Sequence, residues 1–186
     1  NIIFTVFWVV GIMNSINMLD NMDGITTIVS IGIVVCAMCI ILMNNDFENM
    51  HLIILVGVLA SLITFLYFNW NPSRMYMGDT GSQFLGFSAG VLVVVLSQSV
   101  NQAMSPVIPL LLLGLPILDT FAVMAQRIYE KRSPFSPDKN HIHHKLLALG
   151  FDHYEAVLVI YVVQCIFVGS AFALLYESDT LIFSVY

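Results

Sequence analysis

Three short polar stretches interrupt an otherwise apolar chain, and each carries side chains that suit chemistry on phosphates. The first, Asn14 to Gly24, reads N-S-I-N-M-L-D-N-M-D-G. It spaces Asn14, Asn17, Asp20 and Asp23 by threes, so a helix would carry all four on roughly one side. Two amides and two carboxylates suit a sugar, a base edge or a hydrated cation. They equally suit the polar face of an interfacial loop. The second stretch, Asn69 to Phe87, reads N-W-N-P-S-R-M-Y-M-G-D-T-G-S-Q-F-L-G-F. Asp79 stands in it where the chain turns apolar again, a place that suits either a membrane–water boundary or a bound positive charge. Gly78 and Gly81 let a ligand approach the backbone, and Thr80 and Ser82 are good N-cap residues for the helix expected next. A helix N-terminus favours anions, so a phosphate bridged to Asp79 by a cation fits. A capped helix start with a solvated Asp fits as well. The third stretch runs from Arg127 to His153 and groups His141, His143 and His144 with Asp138, Arg127, Lys131, Arg132, Lys139 and Lys145. The histidine spacing is not a usual zinc spacing. The basic neighbours favour a polyanion such as pyrophosphate. A basic anchor loop at a membrane surface explains the Lys and Arg, but not three clustered histidines.

The elements that must hold these stretches are membrane helices. The chain has 186 residues, of which 59% are hydrophobic and 10% charged. A soluble domain is nearer half apolar and a quarter charged. A span needs about 20 apolar residues. The pattern predicts the tail of one span at 2–13, then spans at 25–43, 52–68, 84–97, 106–126 and 155–176, and the start of another at 180–186. The fold expected is an all-α polytopic transmembrane helical bundle of about six spans. It forms a single membrane domain over residues 1–186, read as a piece truncated at both ends. Pro134 and Pro137 break the helix before a short one beginning near His141. Cys36, Cys39 and Cys165 lie in apolar spans and read as packing rather than as a disulfide framework. No strong G-x-x-x-G pairing face stands out. All six Lys and Arg fall in the second and third stretches, at Arg74 and between Arg127 and Lys145. The positive-inside rule puts both on the cytoplasmic side, and counting spans back puts residues 14–24 there too. The site segments 14–24, 69–83 and 127–153 therefore converge on one face. Asp119, inside a predicted span, is either functional or a hydrogen-bonded packing residue. Asp46, Glu48, His51 and His153 read as interfacial polar residues.

M-G-D-T-G-S-x-F-L-G-F preceded by N-x-N-P resembles the signature of the polyprenyl-phosphate N-acetylhexosamine-1-phosphate transferases, integral membrane enzymes that start lipid-linked glycans of bacterial cell surfaces. The first stretch resembles the family form N-x-x-N-x-x-D-G-x-D-G, with Asn21 where Gly is usual. Asn tolerates left-handed backbone geometry, so the turn can survive. S-P-F-S-P-D-x-x-H-I-H-H resembles the family's cytoplasmic loop, in the form of the branch that uses UDP-N-acetylhexosamine. The resemblance implies transfer of N-acetylhexosamine 1-phosphate, with GlcNAc-1-phosphate favoured, from its UDP conjugate to undecaprenyl phosphate with release of UMP. It implies Mg²⁺, with Mn²⁺ as an alternative, held by Asp79. It implies catalytic roles for Asp20, Asp23, His141, His143 and His144. Asn14, Asn17, Asn69 and Tyr76 would seat the nucleotide, and Arg127 and Arg132 would hold phosphate oxygens. Tyr76 suits an aromatic belt at the interface equally well. The implied partners are the UDP-sugar, undecaprenyl phosphate and membrane lipid, with no nucleic acid and with a homodimer open. The implied location is the bacterial inner membrane with the site facing the cytoplasm. The family also carries an acidic D-D pair on an earlier loop. That pair is absent from this sequence, so it is expected upstream, and these residues alone are expected to be inactive.

Three other readings remain. A transporter fits the Pro-containing span with Asp119, but the other acids gather at one face rather than at the midplane. A phospho-muramoyl-pentapeptide transferase would run the same chemistry on a bulkier donor. A non-catalytic relative fits less well with the retained Asp79 and H-I-H-H.

Overall fold

The computed structural model describes residues 2–44, 50–99, 105, 107–134 and 141–185. Asp46, Glu48, Pro137, Asp138 and Lys139 lie outside the described residues. The described residues form helices without strands: α1 Ile2–Leu19, α2 Ile25–Met43, α3 Met50–Asn69, α4 Gly78–Ser99, α5 Ile108–Leu112, α6 Gly114–Tyr129, α7 Ile142–Ala148, α8 His153–Ala173 and α9 Asp179–Val185. Among them α1, α2, α3, α4 and α8 are each long and apolar enough to cross a membrane. The protein is an all-α polytopic membrane bundle, as the hydropathy predicts. Its outer surface carries large apolar side chains such as Phe7, Ile53, Phe84 and Leu158, which suit lipid rather than water. The three cysteines are free thiols.

α1 and α4 form the most extensive helix pair and run antiparallel. Trp8 Nε1 donates to the Gly90 carbonyl at 3.1 Å, and at the far end Asn17 reaches Asp79 and Ser82. Gly86 lies between these contacts, four residues before Gly90 and on the same helical face. The two glycines form a G-x-x-x-G motif, contrary to the expectation that none stands out. It serves packing within the chain: a Cβ on Gly86 would lie 2.6 Å from Met13 Cα and 3.1 Å from the Ile12 carbonyl oxygen. Small residues let helix backbones approach this closely in membranes.

The expected single span 106–126 is two helices, α5 and α6, divided at Leu113. The cause is local. Pro116 has no N–H to give the Leu112 carbonyl four residues back. Buried Gln164 of α8 supplies the missing donor, its Nε2 lying 3.0 Å from that oxygen. Gly114 allows the same approach, because a Cβ there would lie 2.6 Å from the Phe167 ring. α2 sits centrally, packed against α3, α4 and α8. The bundle core gathers Ile12, Ile16, Val29, Ile33, Leu111 and Ile160 among others.

The two glycines separate cleanly in a test. Gly86→Ala is expected to lower stability by about 1–3 kcal/mol, because the new methyl meets backbone that cannot rotate away. A Cβ on Gly90 meets nothing nearer than 3.5 Å, so Gly90→Ala is expected to change stability by less than about 1 kcal/mol. Thermal unfolding in detergent measures both. Equal midpoints would refute the tight α1–α4 crossing.

Candidate functional site

α1 ends at Leu19, and Gly24, whose φ of 82° places it in the left-handed region, turns the chain into α2. The left-handed residue is therefore Gly24 and not Asn21, whose amide instead donates to the Met18 carbonyl. Asn14 and Asn17 lie on α1, while Asp20 and Asp23 lie in the turn beyond it, so the four do not share one helical face. Asn17 Nδ2 donates to Asp79 Oδ1 at 3.1 Å and to Ser82 Oγ at 2.8 Å. α4 begins at Gly78, so Asp79 stands in its first turn, where the helix dipole favours an acid. Thr80 and Ser82 are inside the helix rather than capping it, and Ser82 Oγ donates back toward the Gly78 and Asp79 carbonyls. Burial pushes the Asp20 carboxyl above the usual carboxylate range, and the negative charge of Asp79 pushes it further the same way. Two carboxylates that feel each other's charge suit a divalent cation. Mg²⁺ typically takes one or two carboxylates and completes its shell with phosphate oxygens and water. Among the described residues no group of three or more His, Cys, Asp or Glu side chains could hold a metal alone. Asn14 is exposed and makes no side-chain hydrogen bond to the described residues.

Asn69 and Asp23 clasp the first two stretches together. Asn69 is buried at the end of α3. Its Oδ1 accepts from Gly24 N at 3.1 Å and from Thr27 Oγ1 at 2.9 Å, and its Nδ2 donates to the Met75 carbonyl at 3.0 Å. Asp23 Oδ2 accepts from Ser73 N at 3.0 Å and Asn71 Nδ2 at 3.2 Å. The Asn71 carbonyl in turn accepts from Tyr154 Oη of α8 at 2.8 Å, and the Tyr154 ring lies beside Trp70. Asn69 thus has both polar atoms engaged within the protein, and Asp23 has Oδ2 engaged. Tyr76 is 76% exposed on the same loop, free to meet a base or the interface. Asn71, Ser73 and Tyr154 were not singled out from sequence. Asn71 lies within the quoted N-x-N-P, but nothing in its type shows that its carbonyl meets α8.

The histidines form a second group. His141 and His143 stack with centroids 5.9 Å apart, and His143 lies 4.1 Å from His144. His141 Nδ1 lies 2.8 Å from Asp119 Oδ2. Asp119 is therefore bonded to the histidine loop rather than isolated in a span. His143 is 1% exposed and its Nε2 has no hydrogen-bond partner. Burial, aided by His144 and His141, pushes its pKa down to about 4. His153, at the start of α8, acts on His143 as well and also has a buried Nε2 without a partner. Sequence reading left His153 as an interfacial residue, because its approach to His143 depends on how α7 folds back on α8. Arg127 is buried in the last turn of α6, where its guanidinium donates to the Pro134 carbonyl. Arg132 pairs with Glu130 at 3.2 Å near solvent. The three stretches meet at one end of the bundle: Asn17–Asp79 and Asp23–Asn71 link the first two, and Tyr154, the residue that follows the third, bonds Asn71.

A titration isolates His143. The folded ring stays neutral down to about pH 4, whereas the unfolded ring protonates near its ordinary 6.5. Acidification through that window therefore adds a proton to the unfolded chain alone, and stability falls. Asp20 acts oppositely, since its folded carboxyl protonates at a higher pH than its unfolded one. Comparison with His143→Leu cancels the Asp20 effect. Between pH 7 and pH 5 the native protein is expected to lose about 2 kcal/mol more than the variant, read as a larger fall in thermal midpoint. Parallel falls would show that His143 titrates normally.

Comparison with known proteins adds lineage to this geometry. A profile described as "Glycosyl transferase family 4" matches residues 1–97. The chain is 40% identical over 171 residues to the "Probable undecaprenyl-phosphate N-acetylglucosaminyl 1-phosphate transferase" of Bacillus subtilis, covering 91% of this chain and 47% of that protein. It is 31% identical over 165 residues to the "Undecaprenyl-phosphate alpha-N-acetylglucosaminyl 1-phosphate transferase" of Yersinia pestis, covering 85% and 44%. It is 28% identical over 195 residues to the "Decaprenyl-phosphate N-acetylglucosaminephosphotransferase" of Mycolicibacterium smegmatis, covering 95% and 48%. The chain spans about half the length of these curated relatives. The profile match covers more than half of the sequence and takes in both the Asn17–Asp23 turn and Asp79, and on that ground the chain belongs to glycosyl transferase family 4.

Proposed function

We propose that the full-length protein transfers N-acetylhexosamine 1-phosphate, with GlcNAc as the sugar, from its UDP conjugate to undecaprenyl phosphate and releases UMP. It would do so in the bacterial inner membrane, with the site facing the cytoplasm, as the first step of a lipid-linked envelope glycan. The observation that carries this reading is Asp79, bonded by Asn17 and electrostatically coupled to Asp20, at the end of the bundle where the histidine loop also lies. The names of the relatives supply the sugar and lipid classes.

Asp79 would hold Mg²⁺ or Mn²⁺, with Asp20 beside it. Such a cation, when bound, neutralises pyrophosphate charge and eases departure of UMP. Phosphoryl transfer depends mainly on charge and positioning. Asn17 orients Asp79 through its amide. Tyr76 offers an exposed ring on which a uracil can stack. His141 and His144 meet phosphate oxygens at the loop. His143 has a buried Nε2 with nothing to bond, and a phosphate oxygen would satisfy it. Asp23 and Asn69 act on the nucleotide by fixing the two turns that border its place. Arg127 holds the 130–134 turn, and Arg132 lies near the surface beside it.

The test uses full-length protein in membranes with labelled UDP-GlcNAc, undecaprenyl phosphate and Mg²⁺. Label is expected in the lipid phase, UMP in the aqueous phase, and loss of both on chelation, with recovery on adding Mg²⁺ or Mn²⁺. Asp79→Asn is expected to lower turnover about 100-fold or more. Product from UDP-muramoyl-pentapeptide alone would move the reading to that donor. Sugar uptake without UMP release would replace the enzyme by a transporter.

A further inference from the structure

Asp119 has no role in the reaction as set out above, yet its surroundings are unusual for an acid within a bundle helix. It is 7% exposed, and both its carboxylate oxygens are committed. Oδ2 lies 2.8 Å from His141 Nδ1, and Oδ1 accepts the Ile142 N–H at 2.8 Å. Ile142 is the first residue of α7, and His141 before it gives no side-chain cap. A carboxylate from α6 thus does two things at once: it satisfies a helix-start N–H that would otherwise lack a partner, and it faces one edge of an imidazole. An ionised carboxylate can only accept, so Nδ1 must carry the hydrogen. The lone pair then lies on Nε2, at the far side of the ring. No described residue bonds that atom, and the ring plane is steadied by the stack on His143.

We propose, resting on the function set out above, that Asp119 is a positioning residue for His141. It fixes the ring as the Nδ1–H tautomer and aims Nε2 as the atom that takes up a proton from water and donates it to the phosphate oxygen of UMP as the bond between that oxygen and the sugar-bearing phosphorus breaks. The same logic orients imidazoles in carboxylate–histidine pairs of hydrolytic triads. It makes the three motif histidines unequal. His141 is the ring with a buried carboxylate behind it, while His143 and His144 lie beside one another without such a partner among the described residues. The groups surrounding His141 are Asp119 from α6 and His143 and His144 from α7, with His153 of α8 next to His143.

The alternative is that Asp119 only caps α7, and two substitutions separate the roles. In Asp119→Asn the side-chain oxygen can serve one N–H donor but not both. Ile142→Pro removes the capped N–H while leaving Asp119 and His141 in place. Proline is accepted at a first helical position, and His141, at φ −62° and ψ 155°, has the backbone that precedes a proline readily. In the full-length protein, Asp119→Asn is expected to lower kcat at least about tenfold with donor KM within about twofold. Ile142→Pro is expected to keep most of the activity. In a His141→Gln background Asp119→Asn is expected to add no further loss, since it acts through that ring. Equal losses in Asp119→Asn and Ile142→Pro, or a full additional loss in the His141→Gln background, would reduce Asp119 to a cap and overturn the proposal. A second readout needs no turnover. In protein labelled with ¹⁵N-histidine, the His141 signal, assigned by its loss in His141→Gln, is expected to show an Nδ1-bound proton in the native chain and to change in Asp119→Asn. An Nε2–H tautomer in the native chain overturns the proposal. A native protein that makes no product, yet shows the Nδ1–H signal, refutes the function while leaving the pairing intact.

Discussion

Two helix backbones touch at Gly86, and the position of the carboxylate site follows from that contact. With 2.6 Å between a would-be Cβ and Met13 Cα, α1 and α4 lie too close at this point for any side chain to fit unmoved. Their antiparallel register carries Asn17 to the first turn of α4, where one amide reaches both Asp79 and Ser82. A bulkier residue at the crossing would part the helices and draw Asn17 away from Asp79. Lipid gives little drive for helices to associate, so close van der Waals packing and interhelical hydrogen bonds must supply it. Here the packing and the site geometry are one contact.

A second constraint is that polar backbone in a bundle of this kind needs a partner. It explains features that look like irregularities. Pro116 frees the Leu112 carbonyl, and Gln164 answers from α8. Gly24 turns the chain sharply, and Asn69 takes its N–H. The loop after α3 has few backbone bonds of its own, and Asp23 and Tyr154 reach into it from two other segments. Each bond ties a break in one helix to a side chain of another. The Gly24 turn and the loop after α3 lie where the polar stretches meet, so there the bonds that rescue the backbone also fix the site, whereas the Leu112–Gln164 bond lies farther along α8.

Much of this was legible in the chain itself. Hydropathy gave the helical class and most spans, because a run of about 20 apolar residues has few other uses. The three polar stretches stood out by charge and by Gly, Asn and His content. Partnerships were not legible. The G-x-x-x-G of Gly86 and Gly90 passed unnoticed because its meaning lies in the backbone it faces, Met13, far away in sequence. The threefold spacing of Asn14, Asn17, Asp20 and Asp23 suggested one helical face, but the helix stops at Leu19. Asp119 was readable as an acid in an apolar run, while its bond to His141 requires α7 to fold back across α6.

The polar residues divide by what they have left to bond. Asn69, Asp23 and Arg127 direct polar atoms at the protein's own backbone, so substitutions there act first on the shape of the site. Asp20 and Asp79 keep a charge conflict that the Asn17 amide on Asp79 and Thr26 beside Asp20 only partly offset. His143 and His153 keep buried nitrogens without partners. An unpaired buried polar atom costs about 1–3 kcal/mol, and a folded protein tolerates that where something else completes the bond. Thr26 Oγ1 and Gln164 Oε1 are also buried without partners, but at the polar end the carboxylates suit a cation and the imidazole nitrogens suit an oxygen. A metal-bound pyrophosphate offers both. Residue type alone could not have ranked Asp79 above Asp23, or His143 beside His153. The count of bonds already made does, and under the proposed function it fits a ligand that is anionic and metal-associated.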